Sequence, residues 1–239
     1  MSHRIRILDT GTTAADANPD AATVYHQPAL VRRTLPFDLP AVLDDRPCHV
    51  VFYSRFAVRT VAYRLKDSEQ HRLWAVGPKT AAVVEQLVGR TAEFADEHHF
   101  QALRDALADC GDPRPVIAFG LKDTNRDLSP VTDGWNSSFH PVDVYESTPA
   151  PAGELRRVFN DIQPHWIALT SSRGARAVAD AVDIDRLTDV NIAAIGDSTA
   201  ATISELGLTT DLVPDNPDRN QLIEAIAATI HNQPPTNNQ

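Results

Sequence analysis

The chain repeats itself, and the repeat limits its possible folds more than any other feature. HVVFYSRFAVRTVAYRL followed by LWAVGPKTAAVVEQL aligns with WIALTSSRGARAVADAV followed by IAAIGDSTAATISELG. Each copy reads strand, serine turn, helix, strand, glycine turn, helix. Gly77 matches Gly196 and Thr80 matches Thr199 at a separation of 119 residues, and the same register carries on to Leu103 and Leu222. A duplicated α/β unit predicts two similar lobes facing each other across a cleft, the usual seat of a small ligand. The 239 residues, 42% of them hydrophobic, are enough for two modest cores.

The apolar runs CHVVFYS, LWAVG, PVIAFG, HWIALTSS and NIAAIG are each followed by a polar turn or a helical pattern. Near-continuous apolar strands alternating with helices predict an α/β fold built on parallel sheets. FAVRTVAYRL, KTAAVVEQL, GARAVADAV and STAATISEL carry small and branched apolar residues at three- and four-residue spacing, as crossover helices do. The tail HNQPPTNNQ is polar, contains prolines and is expected to fray.

A net charge of −10 argues against nucleic acid as a partner, because such proteins display a basic footprint. An anionic ligand would therefore need a local positive site. Two cysteines, Cys48 and Cys110, make neither a disulfide framework nor a cysteine-rich zinc site, and a reducing cytoplasm fits them best. No run approaches the roughly 18 apolar residues of a membrane span, and MSHRIRILDTG has no apolar signal core, so a soluble protein without membrane contact is expected. Metal is not expected either, since the adjacent His98 and His99 diverge in a strand or a helix alike.

Two motifs suggest other chemistries and fail on context. Gly77-Pro78-Lys79-Thr80 ends like a nucleotide-binding loop but lacks the loop's first glycine, and its twin has Asp197 and Ser198 in place of Pro78 and Lys79. LDTGTT resembles an aspartic-protease turn, which needs a second carboxylate to share its proton. The chain has no second copy of it.

The turns themselves are the better candidates. Pro78-Lys79-Thr80 and Asp197-Ser198-Thr199 each open a helix. Ser54-Arg55 and Ser171-Ser172-Arg173 repeat the arrangement one strand earlier. Helix starts offer unpaired N–H groups and partial positive charge to an anion. The same serines and threonines serve equally as ordinary N-caps.

Phe52-Tyr53-Ser54 with Leu169-Thr170-Ser171, Val76 to Ala81 with Ile195 to Ala200, and Val144-Tyr145-Glu146 before Thr148-Pro149 together resemble the uroporphyrinogen-III synthase family over residues 46 to 226. The resemblance implies two flavodoxin-like lobes joined by a two-strand β connector. Lobe 1 would be residues 1–24 plus 149–239 and lobe 2 residues 33–142, with 25–32 and 143–148 as the connecting strands. It implies a monomeric, cofactor-free lyase of porphyrin and heme biosynthesis. That enzyme closes the linear tetrapyrrole hydroxymethylbilane, inverting its last ring, to give uroporphyrinogen III and water. A transient partner would be hydroxymethylbilane synthase, which hands over the labile substrate. The other reading is a two-lobed tetrapyrrole-binding or regulatory module of the same fold without turnover.

The substrate supplies its own leaving group and nucleophile, so the resemblance asks the protein to fold it correctly and to lend a proton. Tyr145 matches the family's cleft tyrosine; it is either that proton donor or a connector-strand aromatic. Eight substrate carboxylates would meet Ser54, Arg55, Gly77, Lys79 and Thr80 in one lobe and Thr170, Ser171, Ser172, Gly196, Ser198 and Thr199 in the other, with Arg173 adding charge. One family element is missing. Relatives follow their first strand with Thr-Arg-Pro and a helix, whereas here Leu8-Asp9-Thr10-Gly11-Thr12-Thr13 runs into AADANPDAA with no arginine and little room for a helix. Lys122 and Arg126 are the available substitutes elsewhere.

Overall fold

In chain order the computed structural model has β1 (Ile5–Asp9), β2 (Ala22–His26), β3 (Leu30–Thr34), α1 (Val42–Asp45), β4 (His49–Phe52), α2 (Arg55–Val61), a 3-10 turn (Ala62–Arg64), β5 (Arg72–Ala75), α3 (Pro78–Val88), α4 (Phe100–Asp109), β6 (Val116–Leu121), α5 (Ser129–Gly134), β7 (Phe139–Pro149), α6 (Ala152–Ile162), β8 (Trp166–Leu169), α7 (Ser172–Ala181), α8 (Ile184–Leu187), β9 (Asn191–Ala194), α9 (Asp197–Glu205) and α10 (Arg219–Ala228). The structure describes residues 4–66, 69–97 and 99–229; HNQPPTNNQ and His98 lie outside the described residues.

The chain divides into two compact units. Unit 1 is Met1–Arg32 with Thr148–Gln239, and unit 2 is Arg33–Ser147, so both boundaries fall inside a strand, β3 and β7. The α/β fold on parallel sheets expected from the alternating pattern is the one the chain adopts. Unit 1 has strand order β2-β1-β8-β9 with every neighbouring pair parallel, and a parallel bridge from Ala193 to Leu212 extends the far edge. The second sheet runs β3-β7-β6-β4-β5, parallel from β7 to β5, and a bridge from Trp74 to Glu93 again extends the edge.

These orders are one topology entered at two points. Unit 2 is built straight through from β4, whereas unit 1 receives its β1 and β2 from the chain start, in the places that β6 and β7 hold in unit 2. Each sheet is covered on both faces, which is why β4 and β8 can be apolar and buried along their whole length. In unit 2, α2 and α3 cover Val50 and Phe52, while α4 and α5 cover Val51 and Ala118. In unit 1, α6, α7 and α9 cover Leu8 and Ile167, and α10 covers Ile7, Trp166 and Ala168. The strand order reverses direction at β6/β4 in unit 2 and at β1/β8 in unit 1. Beyond the carboxyl ends of strands at such a reversal is where open α/β sheets bind ligands.

Candidate active site

In unit 2 the chain leaves β4 through Tyr53 and enters α2 at Ser54. Ser54 is extended, with φ −160° and ψ 153°, and its Oγ accepts the Ala57 amide at 3.1 Å as an N-cap. A second bond reaches the same oxygen, because the Tyr145 hydroxyl donates to Ser54 Oγ at 3.0 Å. Tyr145 is brought there by a bulge. The ladder pairs Gly120 with Asp143 and then Leu121 with Tyr145, leaving Val144 as the extra residue. A regular strand would turn Val144 and Tyr145 to opposite faces; the bulge lets both enter the same core cluster. Lys122 N, donating to Tyr145 O at 2.8 Å, locks that register. Tyr145 is only 4% exposed and its ring leans on Phe56 with centroids 4.8 Å apart.

The glycine turns have matching geometry. Gly77 and Gly196 are both extended, and each carbonyl accepts two amides, from Thr80 and Ala81 at 3.0 Å in one turn and from Thr199 and Ala200 at 3.0 and 3.1 Å in the other. Those bonds spend the amides of Thr80 and Thr199 on the turn itself. Both threonine side chains, expected to reach a ligand, are buried. What each turn leaves outward is its first two helical residues: Pro78, which has no N–H, with Lys79, and Asp197 with Ser198.

In unit 1, Ser171 repeats the Ser54 cap by accepting the Gly174 amide at 3.1 Å, and Ser172 Oγ donates to Ser198 O at 2.9 Å, tying the start of α7 to that of α9. Thr170, Ser171, Ser172, Gly196, Ser198 and Thr199 are thus gathered on the neighbouring ends of β8 and β9. Ser54, Arg55, Gly77, Lys79 and Thr80 are gathered likewise on β4 and β5, together with Tyr145. Arg126 sits over the Tyr53 ring at 4.9 Å from its centroid. Burial holds the Tyr53 phenol well above its ordinary value, and its hydroxyl has no partner among the described residues.

One feature escapes the sequence. Asp9, the last residue of β1, is fully buried, and its carboxylate accepts the Gly11 and Ala15 amides, both at 3.2 Å. It is also gripped at two points by Arg219, the first residue of α10, with Nε 3.0 Å from Oδ1 and Nη2 2.5 Å from Oδ2. Arg219 further donates to Thr13 Oγ1 at 3.3 Å, and Asn220 Oδ1 accepts the Asp16 and Ala17 amides at 3.0 and 3.3 Å. So α10 clamps the loop that follows β1. With both oxygens committed, Asp9 is a structural anion, and the protease-like LDTGTT loses its chemistry. The visible clue is the 119-residue register, which sets Arg219 opposite Phe100.

The family profile of "Uroporphyrinogen-III synthase HemD" matches residues 15–224. The chain belongs to the uroporphyrinogen-III synthase family. A uroporphyrinogen-III synthase of Chlorobaculum parvum is 24% identical over 195 residues, 77% of each chain. Two solved structures share the fold. The uroporphyrinogen-III synthetase of Helicobacter pylori 26695 has a TM-score of 0.70 at 16% identity, covering 95% of this chain and 100% of its own. A mutant uroporphyrinogen III synthase from Thermus thermophilus has a TM-score of 0.60 at 14% identity, covering 96% and 100%. The family placement gives the paired glycine turns and Tyr145 a common context.

Proposed function

We propose that this chain closes hydroxymethylbilane to uroporphyrinogen III, inverting the last ring and releasing water. The observation that carries the reading is the family match across residues 15–224, which includes both copies of the repeat and Tyr145. The chemistry fits what the residues offer. Departure of the substrate's hydroxyl leaves an azafulvene, and another pyrrole of the same molecule attacks it. The protein must hold the chain in one conformation and supply a proton as the hydroxyl goes. Tyr145 is the source of that proton. Arg55 and Lys79 in unit 2 and Arg173 in unit 1 stand in the first turns of their helices, where cationic side chains favour carboxylates. This is how a chain of net charge −10 takes an acidic substrate.

The reactivity of hydroxymethylbilane supports a brief encounter with the synthase that makes it, so that the substrate spends little time in water. Free thiols at both Cys48 and Cys110 support a cytoplasmic setting. The test is to supply enzymatically generated hydroxymethylbilane to the purified protein and separate the product isomers. The type III isomer is expected. Accumulation of only the type I isomer, which forms without an enzyme, overturns the proposal.

A further inference from the structure

Tyr145 is badly placed to touch a substrate. It is 4% exposed, its ring is held against Phe56, and its hydroxyl is spent on Ser54. Ser54 is partly exposed at the carboxyl end of β4, beside the β6/β4 reversal. A serine hydroxyl has two lone pairs and one proton. The Ala57 amide and the Tyr145 hydroxyl occupy both lone pairs, so the Ser54 proton must be donated outward. No acceptor among the described residues receives it. We propose, building on the reading above, that Ser54 makes the last hydrogen bond to the departing hydroxyl and that Tyr145 acts through it, resupplying the proton.

The step balances within the substrate and these two residues. As the pyrrole nitrogen's lone pair pushes in, the C–O bond of the hydroxymethyl group breaks. The leaving oxygen takes the Ser54 proton and departs as water, and Ser54 Oγ takes the Tyr145 proton. The phenolate left behind balances the azafulvenium cation. Inversion requires the first attack to come from the α-carbon that already carries the bridge to its neighbour. That bridge then breaks and re-forms at the ring's free α-carbon, which sheds its proton as the ring regains aromaticity, and that proton restores the phenol. Ser54 is then a catalytic residue and Tyr145 a positioning one.

Unit 1 shows that the cap alone does not require a phenol. Ser171 caps α7 by the same bond, and among the described residues no phenol hydroxyl bonds its Oγ. The hydroxyl pair is therefore an addition to the serine cap, made among the described residues in unit 2 alone.

The experiment measures kcat and KM for the full chain with enzymatically generated hydroxymethylbilane, comparing S54A, S54N, S54T, Y145F and the S54A/Y145F double variant. Asparagine keeps the cap and offers no acidic proton, whereas threonine keeps both. S54A, S54N and Y145F are each expected to lose about 10²-fold in kcat. The double variant should be no slower than the slower single, because the two groups form one relay. S54T should recover kcat to within about threefold, since it retains the hydroxyl. Wild-type kcat in S54A or S54N overturns the relay, as does a double variant whose losses multiply. Exclusive type I product from the wild type would instead overturn the functional reading itself.

Discussion

The helix covering the second face of each sheet begins with Arg219 in unit 1 and with Phe100 in unit 2, positions 119 residues apart. Each of these residues closes the strand end beside a topological reversal. In unit 1 the guanidinium lies over Gly11 and grips the buried Asp9. In unit 2 the Phe100 ring meets the Tyr53 ring edge to face at 5.9 Å, and Tyr53 lies over Gly120. Counted along the paired strands, Gly11 and Gly120 are equivalent, and so are Asp9 and Ala118. Both solutions need a glycine for close approach, and they fill the space with opposite chemistry. The lesson is that the duplicated backbone conserves a shape to be closed and leaves open whether charge or rings close it.

The largest expected effect comes from breaking the ionic closure. R219M leaves the Asp9 carboxylate buried with no counter-charge, which should cost unit 1 about 3–5 kcal/mol. D9A/R219M, which installs the alanine that unit 2 carries at Ala118, should recover most of that loss. Urea unfolding followed by hydrogen exchange in β1 and β8 would report it. If R219M unfolds at the wild-type midpoint, the pair contributes nothing and the comparison fails.

The glycines come next. A Cβ at residue 11 would land on the Arg219 guanidinium and force the ion pair apart, whereas one at residue 120 would lie 3.1 Å from Tyr53 Cδ2, asking the ring to yield by a few tenths of an ångström. G11A should cost about 1–3 kcal/mol, in the range of overpacking, and G120A no more than the lower end of it. Equal costs in thermal unfolding would mean that ring and guanidinium are equally rigid stoppers.

Smaller still is the loss of the two serine caps. S54A and S171A should each lower stability by about 1 kcal/mol, because each removes one amide acceptor from the first turn of a helix. Their kinetics should differ even so. S54A should act on kcat, whereas S171A, which loses no hydroxyl pair, should act on KM. A fall in kcat for S171A as deep as for S54A would remove the distinction between the units.

The parts of this that depend on near neighbours are legible in the sequence. The apolar runs identify β4, β6, β8 and β9, and Ser54 and Ser171 announce their helices because a cap and its amide are three residues apart. Pairings over long separations are another matter. Asp9 and Arg219 are 210 residues apart, and Tyr145 and Ser54 are 91 apart. Nothing local marks either pair. The bulge at Gly120 and Leu121 that turns Tyr145 inward is a property of register, and no side chain advertises it. Thr80 and Thr199 mislead for a related reason. The third position of a helix can face outward or under the turn, and the double bond to the preceding glycine carbonyl decides for the latter.

The weakest effect at neutral pH grows as pH falls, and it also separates the units. At the amino ends of unit 2's strands, His49 is fully buried. Its Nδ1 accepts the Trp74 indole N–H at 3.0 Å, and its Nε2 faces Asp112 O at 2.9 Å. Indole only donates and a carbonyl only accepts, so His49 is held neutral with its proton on Nε2. His71, also buried, accepts the Cys48 amide on Nδ1 at 3.2 Å. Burial pushes both imidazoles below their ordinary value. Asp112 partly opposes this at His49, while Arg72 and Arg114 reinforce it; at His71, Arg90 and Arg114 reinforce it and Asp44 opposes it. The unfolded chain therefore binds these protons first. Stability is at its full value above an ordinary imidazole pKa and declines as pH falls from there toward the lowered folded values. The equivalent positions in unit 1 are Trp166 and Val190, which do not titrate. In a W166F background, where Trp74 and Trp135 report on unit 2, the urea midpoint should fall from about pH 7.5 to about pH 5.5. H49Q, whose amide can accept from Trp74 and donate to Asp112 O, should flatten part of that slope. A midpoint that does not move over this range would mean that neither histidine is kept neutral by the fold, and the pH asymmetry of the two units would fall with it.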